Sequence, residues 1–590
     1  MDFNFNIDLF NYLVYNQFGG KINEEAKWTT FKHNGVLFPE PYVPHGIPLI
    51  YTDISGIKEE IVLDPLSEEY ATIYAKFLDT EYIKNKLFNK NFFNDWKVFL
   101  KKSGFNKIIS LENCDFSRIY KYIIKEKEKK NNVLKEEKEK LKKEKEKFEN
   151  KFKIALINNK EQEVGNFRIE PPGIFLGRGC HPKAGKIKKR ILPEDITINI
   201  DKLSPIPELP PFYKDRKWKK VIHDNTLEWV ASWKDNITGK IKYVWMGNKS
   251  DFKAKSDLTK FEKARKLSQI IDTIRRNNMN NIMLEIKGSS ESRDEIIKLK
   301  QLATALYLID NFALRVGNEK GEDEADTVGV CSLRLEHLEL LENNEIKLDF
   351  LGKDSIRYIN KVKIDQNVYK NIEEFIRGKK KNENIFDKIN TSLLNDYLKT
   401  MDENLTAKVF RTYNASKLFQ EEINEINDKI NKIKDNDNKL NLILDLYNKA
   451  NLKVALLCNH QKNVSKKFNE QINKFNDRIT KLMKQKNELL ADVKNDSLAD
   501  VKNDLINNDN KKIKQKIKKI EKIIKDLKSR KNLKIELKNI SLSTSKINYI
   551  DPRITIAFLK KYNLSIEKIF SQALVDKFFW AMDVDEKWQF

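Results

Sequence analysis

FNEQINKFNDRITKL (468–482) and KIKQKIKKIEKIIKDL (512–527) repeat one apolar rhythm on either side of an Asn- and Asp-rich stretch (about 494–510). Phe468, Ile472, Phe475, Ile479 and Leu482 step four, three, four and three residues, and Leu489 continues the register. Ile513, Ile517, Ile520, Ile524 and Leu527 take the same steps. Apolar residues recurring about every 3.5 positions draw a single seam along a helix. Two such helices joined by a polar loop bury their seams most simply against each other, which predicts an antiparallel coiled-coil hairpin over 465–540. Its first arm, about 26 residues, projects roughly 40 Å at the helical rise per residue. LADVKND occurs at 490–496 and again at 498–504, a local duplication at the tip.

The hairpin holds 22 basic and 11 acidic residues, nearly half of the formal charge of +24 carried by the 590-residue chain. Between Lys511 and Lys538 the balance is 13 to 3, so this arm is either a solvated helical spacer or a surface that tracks a phosphate backbone. The overall excess of Lys and Arg favours a polyanionic partner, nucleic acid ahead of a membrane surface. Only 17 of the 111 basic residues are Arg. Each Arg is therefore the more informative, because a planar fork that grips phosphate with two donors is chemistry Lys cannot supply. Cys114, Cys180, Cys331 and Cys458 include no C-x-x-C pair, which argues against a disulfide framework or zinc cluster and fits a reducing compartment. The N-terminus lacks a basic n-region and a small-residue cleavage site, and no run approaches the ~18 apolar residues of a membrane span, so a soluble intracellular protein is expected.

The length calls for several folded units. Residues 1–26 read as a short leader. From Lys27 to about Lys121, aromatic residues mix with Pro-rich turns such as FPEPYVPHGIP (38–48), a globular α+β pattern. From Lys121 to Lys153 there are 14 basic and 8 acidic residues, with Leu134, Leu141 and Phe148 seven apart, which predicts one long solvated helix with a thin seam. EDITINI (194–200) and LEWVASW (227–233) read as strands. Helical periodicity dominates 256–460, in Leu258, Phe261, Leu267, Ile270, Ile271 and Ile274, and in the more buried QLATALYLIDNFALRVG (301–317). A β-hairpin interrupts it, with Ile346, Leu348 and Phe350 alternating before Gly352-Lys353-Asp354 and Ile356 and Tyr358 after. In the last segment, 541–590, Asp551 as N-cap and Pro552 at the first helical position start a helix two residues after Tyr549.

Two stretches invite a chemical reading from residue types alone. GNEKGEDEADTVG (317–329) gathers Glu319, Glu322, Asp323, Glu324 and Asp326, but without EF-hand spacing, and reads as an acidic solvated loop rather than a metal site. GRGCHPKAGK (177–186) misses the P-loop pattern, so ATP use has no support. Arg178, Lys183 and Lys186 through Arg190 suit either a loop lying against phosphates or an ordinary basic turn.

SKINYIDPRIT (545–555), LRVGNEK with DTVGVCSLR (314–320, 326–334), FLGKDSIRY (350–358), TAKVFRTYNAS (406–416) and LCNHQK (457–462) closely resemble, in order, the catalytic motifs of eukaryotic nuclear type IB DNA topoisomerases. The similarity continues through KWTTFKHNG (27–35), NKNFFNDW (89–96), EPPGIFLGRGCHPKAG (170–185) and LPEDITIN (192–199), and so spans nearly everything from residue 27 onward.

The resemblance implies an α+β multidomain fold: a bilobed DNA clamp with a mostly helical, tyrosine-recombinase-like catalytic domain and an antiparallel coiled-coil linker. It divides the chain into a leader (1–26), a cap region including the charged helix (27–255), a catalytic core (256–464), the linker (465–540) and a C-terminal domain (541–590). It makes Tyr549 the nucleophile, supported by Arg315, Lys353, Arg411 and His460. It also sets Arg178, Asp354 and Asn548 beside the cleaved bond, where camptothecin-type inhibitors intercalate. No metal, ATP or other cofactor is expected. The expected partner is encircled double-stranded DNA, the expected state a monomer away from membranes, and the expected location the nucleus. Departures stand at Leu176 and Cys180, where the family usually has Arg and Asn, and in the short segment before residue 27, where it commonly has a long charged region. A tyrosine recombinase and a non-enzymatic coiled-coil chromatin protein are the alternatives.

Overall fold

The computed structural model describes residues 26–285, 290–321, 323–431, 439–462, 464–465, 467–498 and 504–590. All of the leader but Ala26 lies outside the described residues, as do Glu322 and part of the second LADVKND. The fold mixes many helices with small sheets, and the chain divides into two compact units, Met1–Lys255 and Ser256–Phe590.

The first unit is built on two apolar cores. One lies under a four-stranded sheet in which Thr197–Asn199 is flanked by Lys220–Ile222 and Trp229–Lys234, with Ile241–Trp245 at the edge. EDITINI yields only the strand Thr197–Asn199, because Pro193 starts a 3-10 turn that takes up the preceding acidic residues. In LEWVASW the register shifts between Trp229 and Ala231, so Trp229, Val230 and Ala231 are all buried and strict alternation is lost. The other core is aromatic. Helices Pro65–Ala75 and Lys86–Lys102 meet through Tyr74 and Phe92, stacked at 4.3 Å, and the indole of Trp96 donates to the Ser67 carbonyl at 3.0 Å.

The charged segment is not one helix. It comprises Ser117–Asn132 and Lys135–Lys153, separated by Val133 and Leu134 in extended conformation (ψ 137° and 145°). The Asn131-Asn132-Val133 run is poor helix-forming sequence, and the break falls there. Nor does the seven-residue spacing draw a buried seam: Leu134, Leu141 and Phe148 are 74%, 54% and 53% exposed. The buried position is Glu149, held by Arg168.

The second unit is mainly helical. Phe261, Leu267, Ile271 and Ile274 of helix Asp251–Ile282 are buried as the stripe predicts, although Leu258 is exposed. Helix Ser290–Phe312 ends earlier than its apolar run. Ala313 adopts φ 47° and the following residues leave the helix, because Val330 and Cys331 donate their amides to the carbonyls of Arg315 (2.9 Å) and Val316 (2.7 Å). Gly317 (φ 76°) makes the approach possible, since a Cβ there would sit 2.4 Å from the Cα of Gly329. The predicted hairpin is Glu345–Leu351 with Arg357–Lys363, to which Leu338–Leu341 adds a third strand. Ile346, Leu348 and Phe350 face the core, and the turn is closed by Asp354 and Ser355 at φ 67° and 57°.

Helices Phe468–Leu498 and Asp504–Glu536 run further into the Asn- and Asp-rich stretch than the sequence suggests. They pack through Ile479, Ile524 and Leu527, with Phe475, Leu482 and Ile520 beside them, and Lys486 pairs with Glu521 at 2.7 Å. At their base Gln461 bridges Ile540, antiparallel. No described helix is long and apolar enough to cross a membrane.

Candidate active site

Tyr549 occupies the short break between helices Leu542–Asn548 and Pro552–Lys561. Its amide closes the first helix on the Ser545 carbonyl at 3.0 Å. Two residues on, the Asp551 carboxylate caps the second by accepting from the Arg553 amide at 3.0 Å, as the Asp-Pro signature predicts. The intervening backbone is clasped from another helix: Ser416 of Ala407–Asn431 donates its hydroxyl to the Tyr549 carbonyl (2.9 Å) and accepts from the Asp551 amide (3.0 Å). Asp551 is fully buried and pairs with Arg553 (Nη2–Oδ2 2.7 Å). Arg553 also donates to Glu262 at 2.6 Å and lies over the Trp588 ring at 4.6 Å. The tyrosine therefore stands on a segment fixed on both sides, with a half-buried ring.

Arg411 and His460 cover that ring. Arg411, buried, places its guanidinium carbon 4.9 Å from the ring centroid and donates Nη2–H to the Cys458 carbonyl at 3.1 Å. His460 stacks on the ring at 5.2 Å and 27°. It follows helix Lys439–Leu457 by way of Asn459 at φ 50°, which turns the chain so that the His460 amide reaches the Ala455 carbonyl at 2.8 Å. Nδ1 of His460 lies 2.7 Å from the Ser545 hydroxyl. Nε2 of His460 and Nε of Arg411 are buried with no hydrogen-bond partner among the described residues.

Arg315 completes the group from the non-helical segment after Ser290–Phe312, near enough for its charge to act on the Tyr549 phenol. Burial alone raises the phenol's pKa, but the positive charges of Arg411 and Arg315 outweigh it and hold Tyr549 below its ordinary value. Burial first, then the same two arginines, bring His460 down to about 3, so its imidazole is neutral at neutral pH. Lys353 is exposed in the hairpin turn Lys353–Ser355 and lines one cleft with Arg315, Arg411 and Asn459.

Tyr549, Arg315, Arg411 and His460 thus come together from four distant segments, with Lys353 at the cleft shared by both arginines. Beside them, Asp354 is exposed in the turn, and Asn548 is exposed with its amide on the Thr544 carbonyl at 3.2 Å. Asp326 of the acidic loop takes both guanidinium N–H groups of Arg334, at 3.0 and 2.6 Å.

In the first unit, Arg178 is exposed in the glycine-rich loop between strands Gly173–Ile174 and Ile187–Lys188. Helix Lys86–Lys102 holds that loop: Asn91 donates to the Pro182 and Ala184 carbonyls, both at 2.8 Å, and Asp95 accepts from the Ile187 amide at 2.9 Å. A Cβ at Gly185 would lie 2.0 Å from the Phe88 carbonyl oxygen, so this approach requires glycine. Lys183 donates to the Ile237 carbonyl at 3.0 Å and Lys186 lies 3.8 Å from Asp95, so both ammonium groups have partners within the unit. Leu176 packs against the aromatic core, and Cys180 is exposed.

Sequence reading passes over Ser416 and Ser545, although one ends TAKVFRTYNAS and the other begins SKINYIDPRIT. Their contacts cross 133 and 85 residues, and no local spacing signals them.

Arg315, Arg411 and His460 gather around a half-buried phenol, with Lys353 on the cleft shared by both arginines, an arrangement that defines a class of protein suited to holding an anionic group such as phosphate beside a tyrosine. Three family descriptions cover the chain: eukaryotic DNA topoisomerase I, DNA binding fragment, over 26–246; eukaryotic DNA topoisomerase I, catalytic core, over 249–493; and C-terminal topoisomerase domain over 521–590. DNA topoisomerase 1 alpha of Arabidopsis thaliana is 44% identical over 581 residues, 96% of this chain and 60% of its own length. DNA topoisomerase 1 of Homo sapiens is 40% identical over 582 residues, covering 96% and 72%. That of Caenorhabditis elegans is 41% identical over 583, covering 96% and 68%. The chain belongs to the eukaryotic DNA topoisomerase I family. It spans 60% of the length of its Arabidopsis relatives.

Proposed function

We propose that this chain is a type IB DNA topoisomerase that relaxes supercoiled double-stranded DNA through a transient single-strand break. The observation that carries the reading is the pair of buried, unpartnered donor nitrogens of Arg411 and His460 beside the Tyr549 ring. Unpaired buried donors are costly and are tolerated where a ligand completes them. A phosphodiester does so here. Attack of the Tyr549 oxygen on phosphorus adds negative charge to the non-bridging oxygens, which Arg315, Arg411 and His460 take up. The bond from phosphorus to the 5′ oxygen breaks as the phenolic one forms, and Lys353 gives the departing alkoxide its proton.

The 3′-phosphotyrosyl bond retains the energy of the phosphodiester because a phenol of pKa about 10 is a good leaving group. The 5′ hydroxyl then reseals the strand without ATP, and the cationic groups meet the charge demand without calling on a metal or other cofactor. Between the two steps the duplex rotates. In this reading the first unit (27–255) and the catalytic core (256–464) form a bilobed clamp that encircles DNA. The basic helix pair (465–540) is a coiled-coil linker that carries the C-terminal domain (541–590) back to the core. Arg178, Lys183, Lys186, Asp354 and Asn548 contact DNA, with Arg178, Asp354 and Asn548 also meeting camptothecin-type inhibitors. The protein acts as a monomer in the nucleus.

Denaturing the protein on end-labelled duplex tests the chemistry. The strand labelled at its 5′ end is expected to remain covalently attached, and attachment only of 3′-labelled strand, or of neither, would overturn the assignment.

A further inference from the structure

Ser545 presents its buried hydroxyl to Nδ1 of His460 at 2.7 Å, and that nitrogen is its one hydrogen-bond partner among the described residues. A neutral imidazole carries one N–H, and either ring nitrogen can hold it. With His460 brought down to about 3 by burial and by Arg411 and Arg315, the neutral ring is the form that operates.

Counting donors and acceptors decides between the tautomers. If Nδ1 carried the hydrogen, it would donate to Ser545, whose own O–H would then be buried without an acceptor. Nε2 would present a lone pair, which repels a phosphate oxygen. If the hydroxyl donates to Nδ1, both of those atoms are satisfied, and the N–H falls on Nε2. What the Ser545–His460 pair then leaves without a partner among the described residues is an Nε2–H donor, buried beside the Tyr549 ring as is the unpartnered Nε–H of Arg411.

We propose that Ser545 is a positioning residue that holds His460 in the Nε2–H tautomer, so that the histidine meets the phosphate as a hydrogen donor. The same residue ties that donor to the nucleophile, because its carbonyl accepts the amides of Tyr549 and Ile550, each at 3.0 Å. A shift in the helix Leu542–Asn548 therefore moves nucleophile and tautomer-setting hydroxyl together. The inference rests on the strand-cleavage reading of the site.

A double-mutant cycle on single-turnover cleavage separates an action through His460 from a general effect on the fold. Ser545→Ala is expected to slow covalent-complex formation about ten- to hundred-fold when His460 is present, the order of magnitude lost when oxyanion donors are misplaced. In a His460→Ala background the same change is expected to cost less than about two-fold. Equal losses in both backgrounds, or no loss in the first, would overturn the proposal. The nitrogen-15 shifts of His460 in the unaltered protein give a second readout that needs no activity and no variant: Nε2 should be the protonated nitrogen at neutral pH. Protonation at Nδ1 would contradict the proposal even if cleavage is normal. Absence of any covalent complex with the unaltered protein would instead count against the cleavage reading.

Discussion

The guanidinium carbon of Arg411 lies 4.9 Å from the centre of the Tyr549 ring, and the same side chain is anchored on the carbonyl of Cys458. The anchor fixes the fork before any substrate arrives, leaving Nε–H available. Such pre-positioned donors act without reorganisation cost when charge develops. Arg411→Lys keeps the charge but loses the planar fork. The cleavage rate is expected to fall by on the order of 10²-fold, with the thermal midpoint nearly unchanged. A rate within a few-fold of the parent would show that charge alone suffices there.

The depressed basicity of His460 has a definite sign. Its folded pKa of about 3 lies below the ordinary 6.5, so between these values the unfolded chain binds a proton that the folded protein does not. The stability associated with the neutral ring is fully present above pH 6.5 and is lost as pH falls toward 3. His33, buried and brought down to about 4, acts in the same direction. Ring-proton resonances of His460 should therefore not titrate between pH 8 and 5. A midpoint near 6.5 would mean that the ring is solvated and the closed arrangement around Tyr549 does not persist in solution.

Arg553 couples the C-terminal segment to helix Asp251–Ile282 through Asp551 and Glu262. Arg553→Leu leaves the Asp551 carboxylate buried without its cation. Breaking a buried pair in this way costs about 3–5 kcal/mol. Denaturant unfolding should show a loss of that size, with cleavage falling as the Tyr549 segment loosens. A loss under about 1 kcal/mol would mean that the carboxylate is solvated instead.

Gly317 and Gly329 meet closely enough that a Cβ on the first falls 2.4 Å from the Cα of the second. Gly317→Ala is expected to push apart the segments that place Arg315. Strain at φ 76° alone costs about 1–3 kcal/mol. Cleavage should fall more steeply than substrate binding, because in the proposed mechanism Arg315 acts on the reacting phosphate. Parallel losses in both would assign Gly317 a general role in folding.

The parts of the fold legible in the sequence are those in which local pattern and tertiary packing agree. Ile479, Ile524 and Leu527 stand on the seam that the four-three rhythm marks, and they are the residues buried between the two long helices. Ile346, Leu348 and Phe350 alternate in the sequence and face the core. The Asp551-Pro552 start is local chemistry and falls where it was read. The departures arise where distant partners override local preference. The run through Val316 scans as helix, but pairing with Val330 and Cys331 draws it out after Phe312. Leu134, Leu141 and Phe148 keep a seven-residue spacing yet are each more than half exposed, so the spacing marks no buried seam. The candidate site was legible as a set of motifs in order. What spacing could not convey is that Ser416 and Ser545 hold the backbone and the histidine around the tyrosine, since those contacts are made only by the folded chain.

In the proposed mechanism Tyr549 breaks and reseals DNA with help from protein cations and without ATP. Relaxation of supercoiled plasmid by the full chain in EDTA with no nucleotide, beside the Tyr549→Phe variant, puts this to the test. A ladder of topoisomers is expected from the parent and unchanged supercoiled plasmid from the variant. Relaxation by Tyr549→Phe at the parental rate would show that Tyr549 is not the nucleophile.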